Sequence, residues 1–285
     1  MSPVKIIAVI MLISMMLAAG LLCNREHLRK ALKNYGLLLR ALLANFIIVP
    51  IIGVLAVRLF QLNDEIATGV LLMAIAPGVP FVVAAGGPKK GGSLGLAIVL
   101  AFLMPAISVI TVPITAQLVL PATAAGRIPF GQFLTTLVLF QLVPLLIGIF
   151  VNDRAPELAA RLVRLFAVIA VVALVMVLAL LAPAIAKALA SVYGSRGMLT
   201  ELVIVVLSAI TGWSLGRPEP EYSRTLSIAT ALRNIGLCSL IATSAFADTL
   251  VPAAVMTYLL VQVIVCAIIG AFFKRTAKPA ATAAA

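Results

Sequence analysis

Residues 227–236 read Ser227-Ile-Ala-Thr230-Ala-Leu-Arg233-Asn234-Ile-Gly236, inside a stretch, 224–246, that must cross a bilayer. A guanidinium at that depth is costly even on lenient insertion scales, so Arg233 is expected to face a protein-lined cavity rather than lipid. No acidic residue lies in the same stretch to neutralise it. A permanently charged donor fork near the midplane is a reason to expect an anionic ligand. A second reading stays open, in which carbonyls freed by helix breaks satisfy Arg233 as internal glue.

The surroundings set the class. Of 285 residues 64% are hydrophobic and only 11% charged, with a mean hydropathy of +1.23. Soluble domains carry about 25% charged residues, so this composition indicates an all-α polytopic membrane protein. Nine apolar runs stand out: 4–23, 37–61, 66–87, 93–120, 132–151, 160–183, 199–216, 224–246 and 251–273. The run Met16-Leu-Ala-Ala-Gly-Leu-Leu-Cys23 faintly resembles a lipoprotein cleavage site, but Leu22 stands where a small residue is wanted, so 4–23 is read as a retained helix. The tail 279–285 is expected to be disordered.

The net charge of +12 does not indicate nucleic acid, because the basic residues flank apolar runs singly or in small groups. One set of loops holds Arg25, Arg29, Lys30, Lys33, Lys89, Lys90, Arg154, Arg161, Arg164, Arg217, Arg224, Lys274, Arg275 and Lys278; the other holds Lys5, Arg127, Lys187 and Arg196, with Arg58 near it. That asymmetry predicts a multi-pass plasma (inner) membrane protein, amino terminus outside and carboxyl terminus cytoplasmic. Cys23, Cys238 and Cys266 form no CxxC or Cys/His cluster, so neither a disulfide framework, a metal site nor a cofactor is supported.

Two runs are not ordinary helices. The third reads Ala74-Ile-Ala-Pro77-Gly78-Val79-Pro80-Phe81, and its prolines each remove a donor and crowd the preceding turn. The eighth carries Thr230, Arg233, Asn234 and Gly236 at similar depth. Paired interrupted helices point to a transporter site, where free helix amino ends supply partial positive charge. Thr230 lies one turn before Asn234, so the two are expected to share a face. Asn45, with Pro50 beyond it, and Gln141, with Pro144, are further candidates for the cavity; Ser108, Thr111 and Thr115 are read as backbone-bonded hydroxyls.

Several stretches resemble the bile acid:sodium symporter family in order and spacing: Met15-Met-Leu-Ala-Ala-Gly-Leu, Asn24-Arg-Glu-His-Leu-Arg, Leu42-Leu-Ala-Asn45-Phe-Ile-Ile-Val-Pro50, Ala76-Pro77-Gly78 and Ala229-Thr-Ala-Leu-Arg-Asn-Ile-Gly236-Leu. The resemblance implies inverted repeats, two crossing broken helices and alternating access in a nine-helix form. It divides the chain into a core domain, approximately 37–120 and 199–273, and a panel domain, approximately 4–23 and 132–183. Asn45 matches a family amide position. Elsewhere the sodium-site pattern is missing: Val82-Val83 replaces a Ser-Asn pair, Ala229 a glutamate, and Arg233 a glutamine. Leu96, Ala97, Leu100 and Ala101 stand where hydroxyls would help.

Electrostatics agrees. All nine acidic residues lie in loops or at span ends, Glu201 being the one nearest the membrane interior. A desolvated Na⁺ would be poorly held and repelled by Arg233. A proton relay looks equally hard to build, since His27 sits in a loop. The expectation is a sodium-independent secondary transporter of a small organic anion, with Arg233, Asn234, Thr230, Asn45, Pro77, Gly78 and Gln141 lining the site. The alternatives are a sodium- or proton-coupled symporter of the same fold, or a metalloid efflux carrier, which would want a thiol beside Phe81 and Val82. A channel, receptor or membrane enzyme would show polar rings, an output domain or catalytic clusters that the sequence lacks.

Overall fold

The computed structural model describes residues 2–23, 26, 29, 33–78, 82–194 and 196–276, without the side chains of 188–194. Within them the chain is all-α, and an isolated backbone bridge, Pro77 to Arg233, is its extended pairing. Seven helices are long and apolar enough to cross a membrane: α1 (Pro3–Leu22), α2 (Tyr35–Leu59), α5 (Leu94–Val119), α6 (Phe130–Arg154), α7 (Pro156–Gly194), α8 (Gly197–Leu215) and α11 (Val251–Thr276). Between them lie two pairs of shorter helices. The third predicted span is α3 (Asp64–Ile75) followed by α4 (Val82–Gly86), and the eighth is α9 (Pro220–Ala231) followed by α10 (Ile235–Ala245). The tail 279–285 and His27 lie outside the described residues.

Local chemistry sets the helix ends. Asn63 caps α3 through a 2.9 Å bond from the Ile66 amide, and Asp64 and Glu65 complement the dipole in its first turn. Ser2 and Ser93 cap α1 and α5 in the same way. The sixth span is longer than its apolar run suggests, because α7 continues through Pro183 to Gly194. The sequence beyond that proline, Ala184-Ile-Ala-Lys-Ala-Leu-Ala, is rich in strong helix formers, which outweigh one missing bond.

Packing separates the helices into neighbourhoods. α1 lies against α6, α7 and α10, and it meets α6 at Gly20, where an added Cβ would collide with the Leu145 carbonyl oxygen and come 3.0 Å from the Gly148 Cα. Small residues at such crossings let backbones approach when lipid supplies no hydrophobic drive. α8 packs on α9, α11 and α2, and α3 packs on α11 and α2. The outer faces of α2, α6 and α7 expose Ile47, Leu55, Ile147, Phe150, Val172 and Val175, as a lipid-facing surface requires.

Candidate substrate site at the helix crossing

α3 stops at Ile75, and Ala76 and Pro77 run beside Leu232 to Asn234, where α9 has just ended. The Asn234 amide donates to the Ala76 carbonyl at 2.9 Å, and the Arg233 amide donates to Gln262 Oε1 of α11, also at 2.9 Å. The backbone groups freed at each break thus find partners in the other interrupted helix or on a neighbour, as buried main chain must. Gly78 is indispensable to this contact. Its φ of +96° disfavours any side chain, and a Cβ there would meet Pro105 Cδ at 2.6 Å and Met104 Cβ at 2.8 Å.

Two π-helical turns aim amides at the crossing. In α2 residues Ala44–Ile48 form a π-turn that carries Asn45, and in α6 residues Val138–Leu142 form one that carries Gln141. Each precedes a proline, Pro50 or Pro144, whose ring crowds the carbonyl one turn back; the wider turn moves that carbonyl away. Asn45 Nδ2 donates to the Ala41 carbonyl at 2.9 Å and to Thr230 Oγ1 at 3.3 Å. Gln141 Nε2 donates to the Pro105 carbonyl and to Ser108 Oγ, both at 2.8 Å, while its Oε1 accepts from Asn234 Nδ2 at 3.1 Å. Asn234 Oδ1 accepts from the Leu237 amide and so caps α10.

Arg233 has no solvent-exposed surface at all. The expectation that it faces an open cavity is therefore not met in this conformation. Nor do freed carbonyls among the described residues cap the guanidinium. Its one hydrogen bond runs from Nη1 to Asn45 Oδ1 at 3.4 Å, and Nε and Nη2 have no partner among the described residues. Tyr258 and Cys238 lie within its electrostatic reach, yet the Tyr258 hydroxyl has no hydrogen-bond partner among the described residues.

Two interrupted apolar helices abut at their breaks, with polar side chains from four other segments converging on them, the arrangement that broken-helix transporters use around a substrate site. The model of the Sodium Bile acid symporter family matches residues 9–192. The chain belongs to that family. It is also 24% identical over 244 residues to a probable sodium/metabolite cotransporter, BASS2, chloroplastic, from Oryza sativa subsp. japonica. That match covers 83% of this chain and 56% of the rice protein, so the chain spans about half the length of that relative.

As a member of the symporter family, the chain brings all seven sequence-predicted site residues to one place, but not in the expected grouping. Thr230 and Asn234 do not share a face, because α9 ends at Ala231 and the chain turns extended between them; Thr230 turns to Asn45, Asn234 to Gln141. Val82 and Ala229 are buried. Ser108 is backbone-bonded as expected, to the Pro105 carbonyl, and also accepts from Gln141. Sequence reasoning missed Gln262 and Tyr258 on α11, both fully buried or nearly so. Their four-residue spacing within a long apolar helix was the available signal.

Hollows flank the crossing. One, of about 310 Å³, lies between α1, α6 and the far end of α10 and is lined by Lys5, Arg127, Gln132, Thr136 and Ser244 among others. Another, of about 270 Å³, includes Lys90, Leu232, Ile235 and Gln262 and reaches from the crossing toward the opposite end of α11. Arg127 at the first mouth pairs with Asp248 at 3.2 Å.

Proposed function

We propose that the chain is a secondary transporter of a small organic anion, and that Arg233 supplies the positive charge that a bound cation would otherwise provide. The observation that carries this is the buried guanidinium at the crossing, two of whose three nitrogens have no partner among the described residues. A buried ionised donor without acceptors is unstable unless some state of the protein gives it an anion. The hollows on either side each hold at least one cation, Lys5 and Arg127 in one and Lys90 in the other, so an anion entering either way meets positive charge first.

The conformation described is then an occluded one. Access alternates as helices 4–23 and 132–183, a panel, shift against a core of 37–120 and 199–273. Gln141 belongs to the panel side and contacts Asn234 and the Pro105 carbonyl on the core side, so that hydrogen-bonded seam must part. The charge asymmetry of the loops puts the amino terminus outside and the carboxyl terminus in the cytoplasm of a plasma (inner) membrane.

Uptake of labelled carboxylates and sulfonates into proteoliposomes, with Na⁺ or with choline replacing it, tests the proposal. Equal uptake in both, lost in Arg233→Gln, is the expected result. A strict Na⁺ requirement would place the protein with the sodium/metabolite cotransporter that it is similar to and would remove Arg233 from the cation's role.

A further inference from the structure

Glu201 is the one carboxylate that the fold takes fully out of water among the described residues. It lies in the second turn of α8, about 6 Å along the axis from Gly197. Thr257 Oγ1 of α11 lies 2.7 Å from Glu201 Oε1 and 2.9 Å from the Ala254 carbonyl, while Glu201 Oε2 has no partner among the described residues. The hydroxyl carries a single hydrogen. If it goes to Oε1, the carboxylate is served in its charged form. If it goes to the Ala254 carbonyl, Thr257 Oγ1 is free to accept from a protonated carboxyl. The same heavy-atom positions therefore accommodate both protonation states.

Charged groups on the helices packed around α8 do not fix the carboxyl in one state. Arg58, Asp64, Glu65 and Lys187 are exposed at helix ends near it, and Arg40 and Arg224 lie toward the opposite end of α8. Tyr258, one residue past Thr257, is the buried ionisable group facing it, and its unpartnered hydroxyl is within electrostatic reach of both Glu201 and Arg233.

We propose that Glu201 is a proton-binding site that couples anion movement to protons. The step forms one O–H bond on the carboxylate as hydronium becomes water, and no other bond changes. Charge bookkeeping supplies the coupling. Arg233 with an anion and a protonated Glu201 together sum to zero, and so do empty Arg233 and an ionised Glu201. The two mixed combinations leave a net charge in a sealed, dry core, which is disfavoured. Closure is therefore restricted to the doubly loaded and doubly empty protein, giving symport of one proton with each monovalent anion. The coupling rests on the anion-transport reading above; proton binding does not.

Two measurements separate these. Infrared difference spectra of full-length protein carrying ¹³C-labelled glutamate, taken from mildly acidic to alkaline pH, are expected to show a buried-carboxyl band that titrates, is absent from Glu201→Gln and is displaced in Thr257→Val. The glutamine amide can replace the protonated acid's bond to Thr257, so Glu201→Gln is expected to fold; if it does not, the Thr257→Val displacement assigns the band. No such band would leave Glu201 a fixed counter-charge of Arg233 and overturn the proposal. Uptake of ethanesulfonate, a permanent anion, is expected to rise several-fold with an acidic exterior in the native protein and to ignore the gradient in Glu201→Gln. Robust uptake indifferent to the gradient overturns the coupling while anion transport stands. If no sulfonate or carboxylate crosses at all, anion transport fails, and the infrared band alone decides the proton site.

Discussion

The guanidinium of Arg233 and the side-chain oxygen of Asn45 meet at 3.4 Å, a long bond that is the arginine's sole side-chain hydrogen bond among the described residues. Asn45 spends its amide hydrogens elsewhere, on Ala41 and Thr230, so its oxygen is held in place for the arginine.

Asn45→Leu should therefore lower stability by about 1.5–3 kcal/mol, the range for removing the partner of a buried charged group. Asn45→Leu combined with Arg233→Leu should lie above the single variant, with a favourable coupling of about 0.5–3 kcal/mol. Thermal unfolding in detergent of the four proteins in the cycle measures it; strict additivity would mean that the contact contributes nothing.

Asn234→Ala removes both the cap of α10 and the link to Gln141. Loss of the cap alone costs about 0.5–2 kcal/mol. The unfolding midpoint should fall, and Asn234→Asp should recover the part due to the cap, since a carboxylate oxygen can still accept from the Leu237 amide.

Gly78→Ala is expected to cost at least about 1–3 kcal/mol through its left-handed backbone alone. The overlap with Pro105 and Met104 adds to that. Purified Gly78→Ala should unfold earlier and show slower anion exchange, whereas alanine at Gly36, which has open space around its Cβ position, should leave both within error.

Asp248→Asn breaks the ion pair with Arg127, whose side chains are 46% and 76% exposed, with Asp248 the more open. Exposed pairs contribute about 0–1 kcal/mol, so the unfolding midpoint should hardly move. The apparent affinity for anions on that side should instead rise at low salt, as Arg127 is freed at the mouth of its hollow.

Much of this was legible in the chain itself. Pro77 and Gly78 announce the first interruption, because no other pair so plainly forbids a helix. The second is different: Leu232-Arg233-Asn234 contains neither proline nor glycine, and only the polar cluster pointed there. That break is held by bonds to Ala76 and Gln262, partners far away in sequence, which no local pattern encodes. Asn45 and Gln141 could be named one by one as intramembrane amides, but their aim depends on π-turns that sequence periodicity does not reveal. Glu201 was visible only as an acid near a span end; its complete burial comes from α11 folding over it.

The π-turns carry one further consequence. Each holds one residue more than an α-turn would, so removing a single residue between 44 and 48 would close the wide turn into an ordinary one and leave the helix on either side nearly in phase. Asn45 would then lose the wide turn that aims it at Thr230 and Arg233 while the helix stayed whole. The orientation of a recognition group deep in the bilayer thus depends on one spacer residue, and length variation there would retune the interior without altering any side chain in it.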